Sequence, residues 1–262
     1  MQDVDFITNL AAELSADATT PFGAYVFAAD DPRSQLSRSV EEAVFGEFFG
    51  NSPELLAAEY GSYERATVFS CIVDHRRRRP AATMRLIFDS PAGFKSLDDI
   101  ERGPWQQPVA DVLQRTGLVL EPARTVDIAT AAVSPEYRGL RSRGLVTLAM
   151  NQVTARLSLL CGIRWWVTIL DLRALQLFQR SLHELMRFYH GVEPMAYLDS
   201  PLSVPVYCDI EWWCRRMARV DPALHGVLVH GEGIGEVVSH FDLCEASRAV
   251  ARVGYRLERE AA

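Results

Sequence analysis

One segment near the middle of the chain restricts the possible folds more than any other. It begins at Arg124 and reads RTVDIATAAVSPEYRGLRSRGLVTLAMNQVTARLSLL. Residues Thr125 to Val133 are apolar and β-prone, and Pro135 ends this strand because proline has no amide hydrogen. Helical spacing of apolar residues follows from about Ser142 to Cys161. The segment therefore predicts a strand, a basic turn and a long helix in direct succession.

The turn between strand and helix combines three features that favour an anion. Glycines at Gly139 and Gly144 let a bound group approach the backbone, and Arg138, Arg141 and Arg143 offer charge and fork-shaped donors for phosphate. The start of a helix adds unpaired amide hydrogens and the positive end of the helix dipole. Together they predict a phosphate or pyrophosphate at the start of the helix. The alternative is a structural turn whose arginines are simply solvated.

Other phosphate-binding motifs do not fit the chain. No GxGxxG follows the first predicted strand, and no GxxxxGK[ST] run is present. The sequence therefore favours neither a Rossmann dinucleotide site nor a P-loop.

The remaining elements predict an α/β protein with a mixed sheet. Strands are predicted at Phe22–Ala28, Arg65–Asp74, Ala81–Phe88, Thr125–Val133, Ile163–Leu170 and Val204–Ile210, and helices at Ser34–Phe49, Pro53–Tyr60, Gln107–Arg115, Ser142–Cys161, Arg173–Met186 and Glu211–Arg219. The run HRRRRP joins the second and third strands as a hairpin. A hairpin in the first half, with strands and helices alternating in the second half, indicates a mixed sheet.

Composition narrows the class of protein. The chain has 262 residues, of which 48% are hydrophobic and 23% charged, as in an ordinary globular protein. No apolar run reaches membrane-spanning length and no signal peptide is evident, so a cytoplasmic protein without integral membrane association is expected. A net charge of −7 argues against nucleic-acid binding. Five widely spaced cysteines and six histidines without ligand spacing predict reduced thiols and no metal.

The central segment resembles the Gcn5-related N-acetyltransferase (GNAT) superfamily. Its motif is a strand ending in valine, then x-P-x-Y-R-G and a glycine-containing turn that opens a helix, here Val133 to Gly144. The resemblance covers about residues 60 to 190 and implies a GNAT-like α/β fold, with a mixed, mostly antiparallel central sheet flanked by helices. The expected organisation is a single domain over 1–262, with its core at about 60–210, an N-terminal helical addition and a C-terminal extension.

The resemblance also implies a donor site. In the family, backbone amides of the turn hold the pyrophosphate of coenzyme A, and the preceding strand pairs with the pantetheine arm. The implied donor-binding residues are Val133, Arg138, Gly139, Leu140, Arg141, Ser142, Arg143 and Gly144. No cofactor is expected to be bound permanently, because the acyl thioester of coenzyme A or of an acyl carrier protein serves as co-substrate.

Two departures from the family pattern change this site. The common turn R-G-x-G-x-G/A is replaced by a longer GLRSRG with one glycine fewer. The tyrosine that often protonates the departing thiolate is replaced by Phe178 in ALQLFQRSL. Another group or water must then supply that proton.

The first half of the chain resembles one branch of the superfamily. The runs RSVEEAVFGEFFG, ERATVFSCIVD, ATMRLIF and VDIATAAV are similar to those of acyl-homoserine-lactone synthases and N-acyl amino acid synthases. In the E-I-x-R-x-x-V strand of those families, Asp127 takes the acidic place and Thr130 the arginine place. Loss of the arginine argues against homoserine-lactone chemistry and favours the N-acyl amino acid group or a relative with another acceptor.

The resemblance implies an N-acyltransferase that moves an acyl group from a phosphopantetheine thioester to a small-molecule amine such as an amino acid. The alternative is a non-catalytic acyl-coenzyme A-binding or regulatory module that retains the fold.

Three features are candidates for roles in that reaction. Asp127 is the candidate base for the amine proton, the alternative being an outward-facing strand residue. Arg85 is the candidate clamp for an acceptor carboxylate, the alternative being a salt bridge on the sheet face. The hairpin run Arg76–Arg79 is a solvated tip or a docking site for an acidic acyl carrier protein.

Overall fold

The structure is a computed structural model that describes residues 4–139, 142, 144–183, 186–239 and 241–255. Of the predicted donor-site residues, Leu140, Arg141 and Arg143 lie outside the described residues.

The chain forms nine strands and ten α-helices within the residues that the structure describes. The strands are β1 (Phe22–Ala28), β2 (Thr67–Asp74), β3 (Arg79–Ile87), β4 (Thr125–Val133), β5 (Trp165–Asp171), β6 (Arg187–Phe188), β7 (Met195–Tyr197), β8 (Ser200–Asp209) and β9 (Val238–Ser239). The helices are α1 (Val4–Ser15), α2 (Ser34–Phe49), α3 (Pro53–Tyr60), α4 (Lys95–Arg102), α5 (Val109–Thr116), α6 (Leu145–Leu160), α7 (Leu172–Ser181), α8 (Ile210–Val220), α9 (Pro222–His225) and α10 (Leu243–Arg252).

The strands form one sheet in the order β6-β8-β5-β4-β3-β2-β1-β9, and β7 also pairs with β8. Neighbouring strands are antiparallel except for the parallel pairs β4–β5 and β1–β9. This topology confirms the predicted α/β fold class, with a mixed, mostly antiparallel central sheet flanked by helices.

The two faces of the sheet carry different layers. Successive side chains of a strand point to opposite faces, and β2 shows this clearly. Val68 and Ile72 belong to the main core with α6 and α10, whereas Cys71 and Val73 pack with α1 and α2. Every residue of β2 is buried, as expected for a central strand covered on both sides.

Several helix ends follow from local sequence. The side chain of Ser52 accepts a hydrogen bond from the amide of Leu55, and Pro53 occupies the first position of α3, as predicted. Helix α2 ends at Gly50, which has a left-handed φ of 71°.

Other boundaries differ from the prediction for identifiable reasons. Helix α6 begins at Leu145 and not at Ser142, because Gly144 has a φ of 72° that a right-handed helix excludes. Helix α7 ends at Ser181 and not at Met186, since the chain then turns to pair Arg187 and Phe188 with β8. Helix α4 was not predicted, and its first turn is held by the distant residue Asp127.

Within the described ranges, no helix combines the length and apolar character needed to cross a membrane.

Candidate functional site

Strands β4 and β5 separate soon after they meet. They pair in parallel at Thr125–Trp165, Val126–Trp166 and Asp127–Val167. The next link is a side chain, because the hydroxyl of Thr168 donates to the carbonyl of Ile128 at 2.7 Å. In the part of the chain that the structure describes, no further pairs join the two strands, although β4 runs to Val133 and β5 to Asp171. The two strands are therefore unpaired beyond Ile128 and Thr168. The space between them is termed here the β4–β5 cleft, and these two residues are its apex.

A β-bulge lies directly beyond the apex. Arg85 pairs with Thr130 and Leu86 pairs with Ile128, so that Ala129 is an extra residue in β4. Bulges occur often beside active sites, where they redirect the chain. The alanines at Ala129 and Ala131 are half-buried and small. The cleft edge of β4 therefore offers main-chain groups with which an extended ligand can pair.

The mouth of the cleft is formed by the turn that leads into α6. Gly139 and Gly144 have left-handed φ values of 55° and 72°, and a Cβ atom added to either would meet nothing within 4 Å. The hydroxyl of Ser142 donates to the carbonyl of Tyr137 at 2.5 Å, which folds the turn on itself. Helix α6 then begins without a side-chain cap. The amides of Gly144 and Leu145 donate within the turn, to the carbonyls of Gly139 and Ser142, so an anion at this helix start would depend on the dipole and on the amides that follow.

Arg138 connects this turn to the end of β4. Its Nε donates to the carbonyl of Val133 at 2.7 Å, and its guanidinium lies 4.1 Å from the centre of the Phe48 ring. Partial burial lowers the pKa of the Arg138 side chain from its ordinary value. The structure brings together the predicted donor-site residues that it describes, namely Val133, Arg138, Gly139, Ser142 and Gly144.

The basic β2–β3 hairpin meets the same turn, which the sequence did not reveal. The guanidinium groups of Arg77 and Arg79 lie 5.7 Å and 5.9 Å from the ring centre of Tyr137. Tyr137 donates to Asp74 at 2.9 Å, and Arg79 pairs with Glu136 at 3.1 Å. The signal was present in the order of the strands, because antiparallel pairing of β3 with β4 places the hairpin beside the end of β4.

Four exposed arginines of the hairpin and the partly buried Arg138 form a basic surface, termed here the basic rim. It consists of Arg76, Arg77, Arg78, Arg79 and Arg138, of which Arg77 and Arg79 pair with Asp74 and Glu136.

Asp127, the candidate base, lies on the other side of the apex and is fully buried, not outward-facing. Its carboxylate accepts hydrogen bonds from the amide and the hydroxyl of Ser96, each at 2.6 Å. Burial raises the pKa of Asp127 to about 7, and it outweighs the opposing effect of the Ser96 hydrogen bonds. Such a carboxyl can exchange protons at neutral pH, but six residues, or about 20 Å along the strand, separate it from Val133. Its role as base stays a prediction.

Arg85, the candidate clamp, already has protein partners. Its guanidinium donates to both carboxylate oxygens of Glu41, at 2.9 Å and 2.6 Å, and to Glu64 at 2.7 Å. It is buried between the rings of Tyr60 and Phe69, at 4.6 Å and 4.7 Å. These contacts correspond to the salt-bridge alternative. An acceptor carboxylate would have to displace Glu41 or Glu64, so the clamp stays a prediction.

A second buried ionic cluster borders the Asp127 site. The ammonium of Lys95 donates to Glu59 at 2.7 Å, to Asp99 at 2.6 Å and to Tyr197 at 3.2 Å, and Tyr197 donates to Asp99. The sequence offered only the spacing of four between Lys95 and Asp99 as a signal. The other two partners come from distant parts of the chain.

Phe178 provides no polar group at the place of the usual tyrosine. It lies on α7, whose first turn is capped by Asp171, and it packs against the main core.

The chain is similar in overall structure to acyltransferases that make N-acylated small molecules. The coenzyme A-dependent acyl-homoserine lactone synthase BjaI shares 18% identity and a TM-score of 0.49, over 87% of this chain and 97% of that chain. The acyl-homoserine lactone synthase LasI is 11% identical, with a TM-score of 0.48, over 81% of this chain and 96% of that chain. FeeM, an N-acyl amino acid synthase from uncultured soil microbes, is 13% identical, with a TM-score of 0.48, over 74% of this chain and 93% of that chain.

No protein-family model matches the chain, and no curated protein sequence is significantly similar to it. At these identities and TM-scores, the similar structures do not assign a function, and the chemistry follows from the residues of the site.

Proposed function

We propose that the protein is an N-acyltransferase that moves an acyl group from a phosphopantetheine thioester to an amine. The observation that carries this proposal is the β4–β5 cleft, which has free strand edges inside and the start of α6 at its mouth. From Ala129 to Val133 the cleft edge of β4 extends for about 13 Å at 3.3 Å per residue. An extended pantetheine arm pairs with this edge, which directs its phosphate to the mouth and its thioester to the bulge.

The phosphate end is bound by the turn and by α6. In this proposal Arg138 donates to the phosphate, and Gly139, Ser142 and Gly144 line its approach. The sequence adds Leu140, Arg141 and Arg143 to this set. Val133 marks the last residue of β4 with which the pantetheine arm pairs.

Proximity and charge stabilisation account for the acyl transfer. Holding the amine against the thioester carbonyl removes most of the entropic cost of a bimolecular step. Main-chain amides at the bulge stabilise the oxyanion. As the C–N bond forms, the C–S bond breaks, and the departing thiolate takes its proton from water because Phe178 cannot supply one. Asp127 takes the amine proton through water, and its pKa of about 7 matches that task at neutral pH. Arg85 orients an acceptor that carries a carboxylate, for which an amino acid is the simplest example.

The basic rim supports a carrier protein as one source of the thioester. Its arginines surround the mouth through which the phosphate enters, whereas the chain as a whole carries a net charge of −7. An acidic acyl carrier protein is attracted to such a local surface at low ionic strength.

Thiol release tests the proposal. The protein is incubated with acyl-coenzyme A and acyl carrier protein thioesters of increasing chain length, each with and without a panel of amines and amino acids. We expect thiol release that depends on the amine, together with an amide product of the matching mass. Absence of release for every donor and amine pair, from protein with an intact circular dichroism spectrum, would contradict the proposal.

A binding module that has lost catalysis is the second candidate. It is favoured by one observation: both oxygens of Asp127 and the whole guanidinium of Arg85 are engaged by protein groups. Native mass spectrometry separates the two. Retained acyl-coenzyme A that survives incubation with every amine would support the binding module.

A further inference from the structure

We infer that Phe48 is a positioning residue, which holds the guanidinium of Arg138 in place as a ligand for the donor phosphate. This inference rests on the proposed function. Phe48 lies outside the turn motif, Val133 to Gly144, on which the proposed donor site is based. Phe48 lies in the last turn of α2, about 90 residues before Arg138 in the chain.

Two contacts fix the guanidinium from different sides. Its Nε donates to the carbonyl of Val133 at 2.7 Å, and its Cζ lies 4.1 Å from the centre of the Phe48 ring. These contacts use Nε and the ring-facing side of the guanidinium, and the fork of Nη1 and Nη2 matches two oxygens of a phosphate. A free arginine on a surface turn would lose side-chain entropy on binding, and this arrangement lowers that cost.

The charge of Arg138 is not cancelled by a partner. Over the residues that the structure describes, no carboxylate lies within ion-pair distance of its guanidinium. The acidic groups that face it are Glu47 on α2 and Glu136 in the turn, and Glu136 is already paired with Arg79 at 3.1 Å. Among the described residues the guanidinium beside Gly139 therefore has no direct ion pair, and only the longer-range charges of Glu47 and Glu136 oppose its own.

The side chain of Phe48 is expected to contribute little to the free energy of unfolding. Its exposed fraction is 50%, whereas Val44 on the same helix is buried in the core. A large aromatic ring left half in water gains little from burial. A variant at this position is therefore expected to fold normally.

The test compares donors with and without phosphate. Acyl-coenzyme A carries the pyrophosphate, and the acyl thioester of N-acetylcysteamine carries the same reacting group without it. We expect Phe48→Leu to raise KM for acyl-coenzyme A by about 2- to 5-fold, as the loss of an exposed cation–π contact implies, with kcat unchanged. The N-acetylcysteamine thioester should react as with the wild type, and Phe48→Trp should restore KM. Phe6→Leu, at a phenylalanine of α1 that is 44% exposed, is the matched control.

A double-mutant cycle tests whether Phe48 acts through Arg138. Arg138→Gln alone should raise KM for acyl-coenzyme A, and adding Phe48→Leu should change it no further. Fully additive effects, or an equal loss with both donors, would overturn the inference.

The inference and the proposed function can fail separately. If the wild type turns over no donor, the same variants are compared in equilibrium binding of coenzyme A and of pantetheine, which lacks phosphate. A selective loss of coenzyme A binding in Phe48→Leu would support the inference without catalysis. The inference would be overturned if the wild type and Phe48→Leu bound coenzyme A with equal affinity. It would also be overturned if neither protein bound coenzyme A.

Discussion

The Asp127 carboxyl links the stability of the fold to pH, and replacing it with asparagine isolates that link. Asparagine has nearly the same shape and retains one oxygen that can accept from Ser96, but it does not titrate. The change therefore removes the protonation equilibrium and leaves the packing around a fully buried position almost intact.

The magnitude follows from the pKa of Asp127, which burial raises from 3.8 to about 7. Because the folded state holds this proton more tightly than the unfolded chain, the stabilising contribution is complete below pH 3.8 and is lost as pH rises towards 7. At 1.36 kcal/mol per unit, the whole effect is about 4 kcal/mol, of which roughly 2 to 3 kcal/mol falls between pH 5 and pH 8.

Urea unfolding of both proteins at several pH values from 5 to 8 measures this effect. The difference in unfolding free energy, variant minus wild type, should rise by roughly 2 to 3 kcal/mol over that range. Asp17→Asn, at an exposed aspartate, reports how the loss of any one carboxylate alters the pH dependence. A difference between Asp127→Asn and the wild type that stays constant with pH would show that Asp127 is not held in a protonated, desolvated state.

Three further outcomes follow from the contacts described above. Arg85→Met should destabilise the fold by about 3–5 kcal/mol in urea unfolding, because Glu41 is left buried without its cation; a loss below about 1 kcal/mol would mean that the pair is readily replaced. Gly144→Ala should cost about 1–2 kcal/mol from its left-handed φ alone, since a Cβ meets no atom there, and Gly144→Asn should cost less. Turnover of a carrier-protein thioester should fall steeply as salt rises, and Arg77→Gln with Arg79→Gln should flatten that dependence. An unchanged salt dependence in the double variant would remove the basic rim as a docking surface.

Local patterns were sufficient for the elements whose ends are set by nearby residues. The strand, turn and helix from Thr125 onward, the hairpin formed by β2 and β3, and the start of α3 at Pro53 were all predicted from short stretches of sequence. Pro53, for example, acts on its own backbone conformation. The left-handed φ of Gly144 is equally local, but it was not anticipated, and the start of α6 was therefore placed three residues too early.

The remainder depends on contacts between distant segments. Helix α4 starts where Asp127, about 30 residues further along the chain, accepts hydrogen bonds from Ser96. The pairing of Arg85 depends on the register with which α2 presents Glu41 to the sheet. Neither periodicity nor propensity contains that information, since both describe one segment at a time. For this reason the sequence indicated that Arg85 is a charged residue on a strand, but it did not indicate that Glu41 is its partner.

Among the described residues, the last hydrogen bond between β4 and β5 is made by a side chain, and it determines how precisely the apex of the cleft is positioned. The hydroxyl of Thr168, bonded to the carbonyl of Ile128, fixes the level at which the two strands part. Without that hydroxyl the point of separation could retreat by one residue pair, or about 3.3 Å, towards Asp127. Reacting groups must be held to within about 0.5 Å for efficient catalysis. In the proposed enzyme, Thr168 would therefore set how deeply the thioester enters the sheet, and a shift of about 3.3 Å would exceed the positional tolerance of about 0.5 Å several times over.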